Sequence, residues 1–154
     1  MGYGIIEYKC NKYRVIEYGC ITTPPKEELS KRLRKIELDL QSVIDRYNID
    51  VCAIEELFFN TNTTTAIHVA EARGVMLCVL EKNNIKIAEY TPLQVKQALV
   101  GYGRAEKTQI KQMVKEILKL DNMPKLDDTT DALAIAICYA NSYKYEQYEK
   151  NNCR

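Results

Sequence analysis

Apolar residues recur along this chain with two different periods, and the changes from one to the other mark out its elements. Gly2 to Tyr8 and Tyr13 to Thr22, rich in tyrosine, isoleucine and valine, predict two strands. The turn Lys9-Cys10-Asn11-Lys12 joins them as a hairpin, and Pro24-Pro25 ends the second. From Lys26 to Tyr47, Leu29, Leu33, Ile36, Leu40, Val43, Ile44 and Tyr47 fall on one face and predict a long helix. The short apolar run Val51-Cys52-Ala53-Ile54 predicts a buried strand with Glu55 emerging at its end. Thr63 to Lys82 predicts a second helix, whose Ala66, Ala70, Ala72 and Gly74 would permit close packing, and Ile85 to Tyr90 a further strand. Thr91-Pro92 opens another helix, because proline at a first-turn position loses an N–H that has no helical partner.

Gly101-Tyr102-Gly103 interrupts that helix, either as a flexible hinge or as a phosphate-approaching loop. Between Glu106 and Leu120, Lys107, Lys111, Lys115 and Lys119 recur every four residues opposite Ile110, Met113, Val114 and Ile117, which predicts an amphipathic helix with a lysine ridge. A last apolar helix runs from Asp128 to about Tyr143, after Asn122-Met123-Pro124 closes the ridge helix. The polar tail that follows is expected to fray. The organisation predicted is one α/β unit over residues 1–143 with a tail over 144–154, since strands first and then alternating helix and strand argue for a mixed α/β domain.

Composition narrows the function classes more than it names one. The 154 residues are 46% hydrophobic and 28% charged, ordinary for a globular protein. No apolar run approaches the roughly 18 residues of a membrane helix, and no secretory leader is evident, so a cytoplasmic protein with no membrane partner is expected. The six cysteines are scattered without a C-x-x-C pair, and with a single histidine, His68, a zinc site is not expected. A formal net charge of +1 rules out a global field for nucleic acid, so any such contact must come from a local patch.

Glu55, Asp128 and Asp131 are the candidate chemistry. Positions i and i+3 share a helix face, so Asp128 and Asp131 can point at one spot. Hard divalent cations take oxygen ligands, and two of them about 4 Å apart can clamp the attacking and leaving oxygens of a phosphodiester. The same residues also fit a plainer reading, in which first-turn aspartates favour the helix dipole and cap free N–H groups while Glu55 is a strand-end charge. The lysine ridge likewise fits either a solvated face or a track for a phosphate backbone.

Taken together, several segments resemble the RuvC family of Holliday junction resolvases. They are Gly2-Tyr3-Gly4-Ile5-Ile6, Ala53-Ile54-Glu55-Glu56-Leu57-Phe58, Ala72-Arg73-Gly74, Glu89-Tyr90-Thr91-Pro92 with Gln94-Val95-Lys96-Gln97, Val100-Gly101-Tyr102-Gly103, and Asp128-Thr129-Thr130-Asp131-Ala132-Leu133-Ala134. They occur in the family's order and cover nearly the whole chain. The resemblance implies a ribonuclease-H-like fold, a mixed five-stranded sheet flanked by helices, and a homodimer that cuts four-way junction DNA symmetrically with Mg²⁺ or Mn²⁺, two ions per subunit. It implies that Glu55, Asp128 and Asp131 are catalytic metal-binding acids. Phe58 would stack on an unpaired base, and Lys96 and Lys107 would contact the region of the scissile phosphate. Arg73 also matches a family arginine. For Phe58 ordinary core packing and for Arg73 a helix-surface salt bridge remain open. Branch-migration motor proteins are implied as partners.

The sequence departs from the family at its start. Family members begin with a strand reading roughly Gly-Ile-Asp-Pro-Gly, whose aspartate is a metal ligand, whereas this sequence opens at Met1-Gly2-Tyr3-Gly4. Two expectations follow: a natural start about a dozen residues upstream, one strand and its turn, or a truncated, catalytically impaired protein that still grips junctions. A related enzyme acting on structured RNA is the third reading.

Overall fold

The computed structural model describes residues 1–56 and 63–152, with side chains not described for 63–65 and 145–152. Its elements run β1 (Gly2–Lys9), β2 (Lys12–Cys20), α1 (Leu29–Ile44), β3 (Val51–Glu55), α2 (Thr63–Lys82), β4 (Lys86–Tyr90), α3 (Pro92–Val100), α4 (Lys107–Leu118) and α5 (Asp127–Asn152). The chain divides into two compact units, one of residues 1–20, 53–55 and 89–154, the other of residues 21–52 and 56–88.

In the first unit β1 and β2 form an antiparallel hairpin whose register closes at Lys9 opposite Lys12, with an irregularity between Ile5 and Ile6. Cys10 and Asn11 both take positive φ, 51° and 59°, the left-handed pair that matches a two-residue turn to the twist of its strands. The core gathers one face each of α3, α4 and α5: Val95 and Leu99, Ile110, Val114 and Leu118, and Leu133, Ala134, Ile137 and Cys138. Ile6, Tyr13 and Val15 of the hairpin pack against it. Gly2 lets the first turn of α5 lie directly on β1, because a Cβ there would collide with the Asp128 carbonyl.

A polar seam crosses this apolar core. The Tyr13 hydroxyl donates to Asn141 Oδ1 at 2.7 Å, and Asn141 Nδ2 donates to the Ala98 carbonyl at 3.1 Å, tying β2, α5 and α3 together. Burial, with the Tyr8 ring 4.8 Å away, pushes the Tyr13 phenol up to about 12.

In the second unit α1 contributes Ile36, Leu40 and Val43 and α2 contributes Val79 and Leu80 to the buried set. Gln41 and Asn83 exchange two amide hydrogen bonds of 3.0 and 2.8 Å, and Glu37 accepts from both Arg34 and Lys82. Gly74 faces open space and Ile67 is exposed, whereas Ala66, Ala70 and Ala72 are half-buried.

The four strands stand in two pairs, β1–β2 and β3–β4, in keeping with a ribonuclease-H-like sheet without the family's first strand. The α5 helix continues through the polar tail to Asn152. No glycine or proline occurs between Asp127 and Asn152, so nothing in the backbone interrupts the i to i−4 ladder. No helix among the described residues is long and apolar enough to cross a membrane.

Candidate active site

The site is built on the first turn of α5. Thr129 and Thr130 are 3% and 1% exposed, so this turn directs its threonines inward and Asp127, Asp128 and Asp131 outward. The Thr129 hydroxyl donates to the Gly19 carbonyl at 3.1 Å and its N–H to the Leu126 carbonyl at 3.2 Å, which pins the turn to the end of β2. Two acids in a first helical turn also meet the positive end of the helix dipole.

α4 brings the opposite charge. Its first residue, Lys107, places Nζ 2.9 Å from Asp127 and 3.8 Å from Asp131. Lys111, one turn on, reaches Asp127 at 2.7 Å. Hydrogen bonds from Lys111 and Lys107 hold the Asp127 carboxyl down at about 2. The hydrogen bond to Asp127 and the charge of Asp131 raise Lys107 in turn. A capping box between Glu106 and Gln109 fixes where α4 begins and therefore where Lys107 stands.

Glu55, the last residue of β3, faces this group. Partial loss of water raises its carboxyl, and the nearby charge of Asp131 raises it further. Asp131 is itself raised by loss of water, which outweighs the lowering by Lys107. Glu55 thus lies in the field of Asp131, and both carboxylates sit in a partly dry setting where a cation would relieve them.

The candidate residues are not all drawn together. Asp128 is turned toward the α-ammonium of Met1 at 3.8 Å. Among the described residues no three acids stand close enough to hold a metal ion. Lys107 and Lys111 both pair with Asp127, so that carboxylate is held by α4. Lys96, half-buried on α3, makes no ion pair with the acids, and Arg73 lies half-buried on α2 in the other compact unit. Phe58 lies outside the described residues. The lysine ridge divides: Lys107 and Lys111 serve the acids, Lys115 stays exposed, and Lys119 takes φ 52° to end the helix.

Asp127 is the participant that sequence reasoning passed over. The i, i+4 lysines that meet it, Lys107 and Lys111, share one helix face and were legible as such. The donor chemistry fits a hard divalent cation, with carboxylate oxygens and two carboxyls raised by loss of water, Glu55 also by the charge of Asp131.

Comparison with known proteins points the same way. A family profile described as "Crossover junction endodeoxyribonuclease RuvC" matches residues 1–139. A protein of that name from Halothermothrix orenii is 55% identical over 144 residues, covering 94% of this chain and 87% of the relative. Another from Clostridioides difficile is 52% identical over 151 residues, covering 98% and 89%. Among solved structures, RuvC from Thermus thermophilus superposes with a TM-score of 0.86 at 31% identity, over 94% of this chain and 89% of the other. The T. thermophilus protein in complex with a Holliday junction substrate superposes with a TM-score of 0.88 at 32% identity, over 94% and 88%.

Proposed function

This chain belongs to the RuvC family of crossover junction endodeoxyribonucleases, and on that premise we propose that it resolves four-way DNA junctions through the acids around Asp131. The carrying observation is the pair of raised carboxyls, Glu55 and Asp131, with the Lys107 ammonium held 3.8 Å from Asp131. Glu55, Asp131 and Asp128 would hold Mg²⁺ or Mn²⁺, two ions per subunit. When bound, the cations supply Lewis-acid polarisation of the phosphodiester.

The chain's own residues do the rest. Lys107 offsets negative charge that develops on the phosphoryl oxygens, as a point charge rather than a fork. Lys111 and Lys115 extend the same helix face as a track for the backbone of one duplex arm. Water attacks phosphorus and the P–O3′ bond breaks. The proton ends on the departing oxygen, giving 5′-phosphate and 3′-hydroxyl ends that a ligase can seal. Lys96, Phe58 and Arg73 are assigned to DNA contact by family resemblance, as are the homodimer and its branch-migration motor partners.

The test is a synthetic mobile junction incubated with Mg²⁺. It is run on the chain as it stands and on a version that begins with the family's Gly-Ile-Asp-Pro-Gly strand. Paired symmetric nicks are expected, abolished in Glu55→Gln, Asp128→Asn or Asp131→Asn while band shifts persist. Nicks that survive all three substitutions overturn the assignment. A second reading, binding without cutting, is favoured by the absence of a closed three-acid cluster among the described residues. It predicts band shifts without nicks, indifferent to Glu55→Gln.

A further inference from the structure

We propose that the loop between α3 and α4 is a second DNA-contacting element, in which Tyr102 stacks on a base near the cleavage point and Arg104 holds a neighbouring phosphate. The proposal rests on the junction-resolving function above and adds residues that it does not use. Tyr102 is 48% exposed, and Arg104 is exposed two residues on. Neither makes a hydrogen bond or an ion pair among the described residues. One exposed tyrosine on a surface would be unremarkable. What distinguishes this one is the rigidity with which it is presented.

The loop is anchored at both ends. Leu99 on one side and Ala105 on the other are buried in the core. Gly101 takes φ 83°, a left-handed cap that suits glycine, and its N–H donates to the Gln97 carbonyl at 2.9 Å. Gly103 packs against the end of the exposed Leu93 side chain. The Glu106 N–H donates to Gln109 Oε1 at 2.9 Å and starts α4. Tyr102 and Arg104 therefore project from a backbone that is already ordered, and ordering them on a ligand costs little further backbone entropy.

Their position relative to the acids is bounded by the chain. Tyr102 lies five residues before Lys107, a span of at most about 18 Å. At about 3.4 Å per nucleotide along a strand, that is about five nucleotides. An aromatic face suits a base of any sequence, and a guanidinium suits phosphate. At a junction, bases beside the crossover are the ones available for stacking. The assignment is to DNA; a structured RNA is an outcome of the test.

The experiment uses the full chain with a fluorescent four-way DNA junction in EDTA, so that binding is read without cutting. Tyr102→Ala is expected to weaken binding about 5- to 150-fold, the range base stacking spans, while Tyr102→Phe stays within about twofold. Arg104→Ala is expected to flatten the dependence of log affinity on log salt by about one. A 2-aminopurine within about five nucleotides of the crossover should be quenched by the wild type and not by Tyr102→Ala. If the wild type binds and Tyr102→Ala matches it in affinity and quenching, the loop assignment fails and the junction reading stands. If the wild type does not bind the junction, or prefers an RNA hairpin, the underlying function fails and the loop assignment with it.

Discussion

Lys107, the first residue of α4, stands 3.8 Å from Asp131, one turn into α5. A lysine and an aspartate from two helices that share the Ile110, Val114 and Leu133 core are thereby set in one electrostatic unit. Removing the ammonium leaves Asp131 and Glu55 facing each other with less compensation. Lys107→Met should raise the Asp131 carboxyl further, read by carbonyl-carbon NMR titration, and lower junction cleavage about 10²- to 10³-fold, the usual cost of one preorganised positive contact. Unchanged cleavage would remove Lys107 from the chemistry.

Asp127 makes stability depend on acid. Its folded carboxyl is depressed to about 2 from an ordinary 3.8. The contribution is therefore present above about 3.8 and is lost as pH falls toward 2. The melting-temperature gap between wild type and Asp127→Asn should be open at pH 6 and close between about pH 4 and pH 2. A gap that is constant across that range would mean the Lys107 and Lys111 pairs contribute nothing; exposed pairs like these are worth little in strong salt, so low ionic strength is the condition to use.

Glu55 and Asp131 shift in the opposite direction. A carboxyl whose folded pKa is raised binds its proton more tightly in the native state, so stability falls as pH climbs from the ordinary value through the raised one. Glu55→Gln should therefore gain on the wild type over that window. Divalent cation should reverse the effect for the wild type alone. At a hundredfold excess of Mg²⁺ over its dissociation constant, linkage contributes about 2.7 kcal/mol, or about 5–10 °C for a chain of this size. EDTA should abolish the gain, and Glu55→Gln should not show it. Equal Mg²⁺ stabilisation of both proteins would argue against cation binding here.

Asn141 carries a structural prediction independent of catalysis. Asn141→Leu leaves the Tyr13 hydroxyl and the Ala98 carbonyl without their partner, at about 1–3 kcal/mol for each unsatisfied group. Urea unfolding should show a loss of about 2–4 kcal/mol. An effect below about 0.5 kcal/mol would mean water replaces the amide.

Much of this architecture was legible in the residues. Thr63–Lys82 and the hairpin turn at Cys10-Asn11 occur where their residues predict them, because a proline-free run of helix formers and a short polar turn are local signals. The α1 ends were overextended at Lys26 and Tyr47, since apolar spacing says which face is buried but not where hydrogen bonding stops. The helix continues past Tyr143 to Asn152, where Lys, Glu and Gln are good helix formers. The resemblance to the RuvC family was also present in motif order alone.

Sequence by itself determined the kinds of element, the acids at their ends and the family, all of which depend on residue type and short-range spacing. Which groups meet was settled only by packing. The union of Asp127 with Lys107 and Lys111, the turning of Asp128 to Met1, the electrostatic company of Glu55 and Asp131, and the seam from Tyr13 through Asn141 to Ala98 each join residues from different elements. Coulomb and hydrogen-bond energies change steeply over a few ångströms, and distances between distant stretches of chain are set by how helices seat on strands rather than by any local pattern.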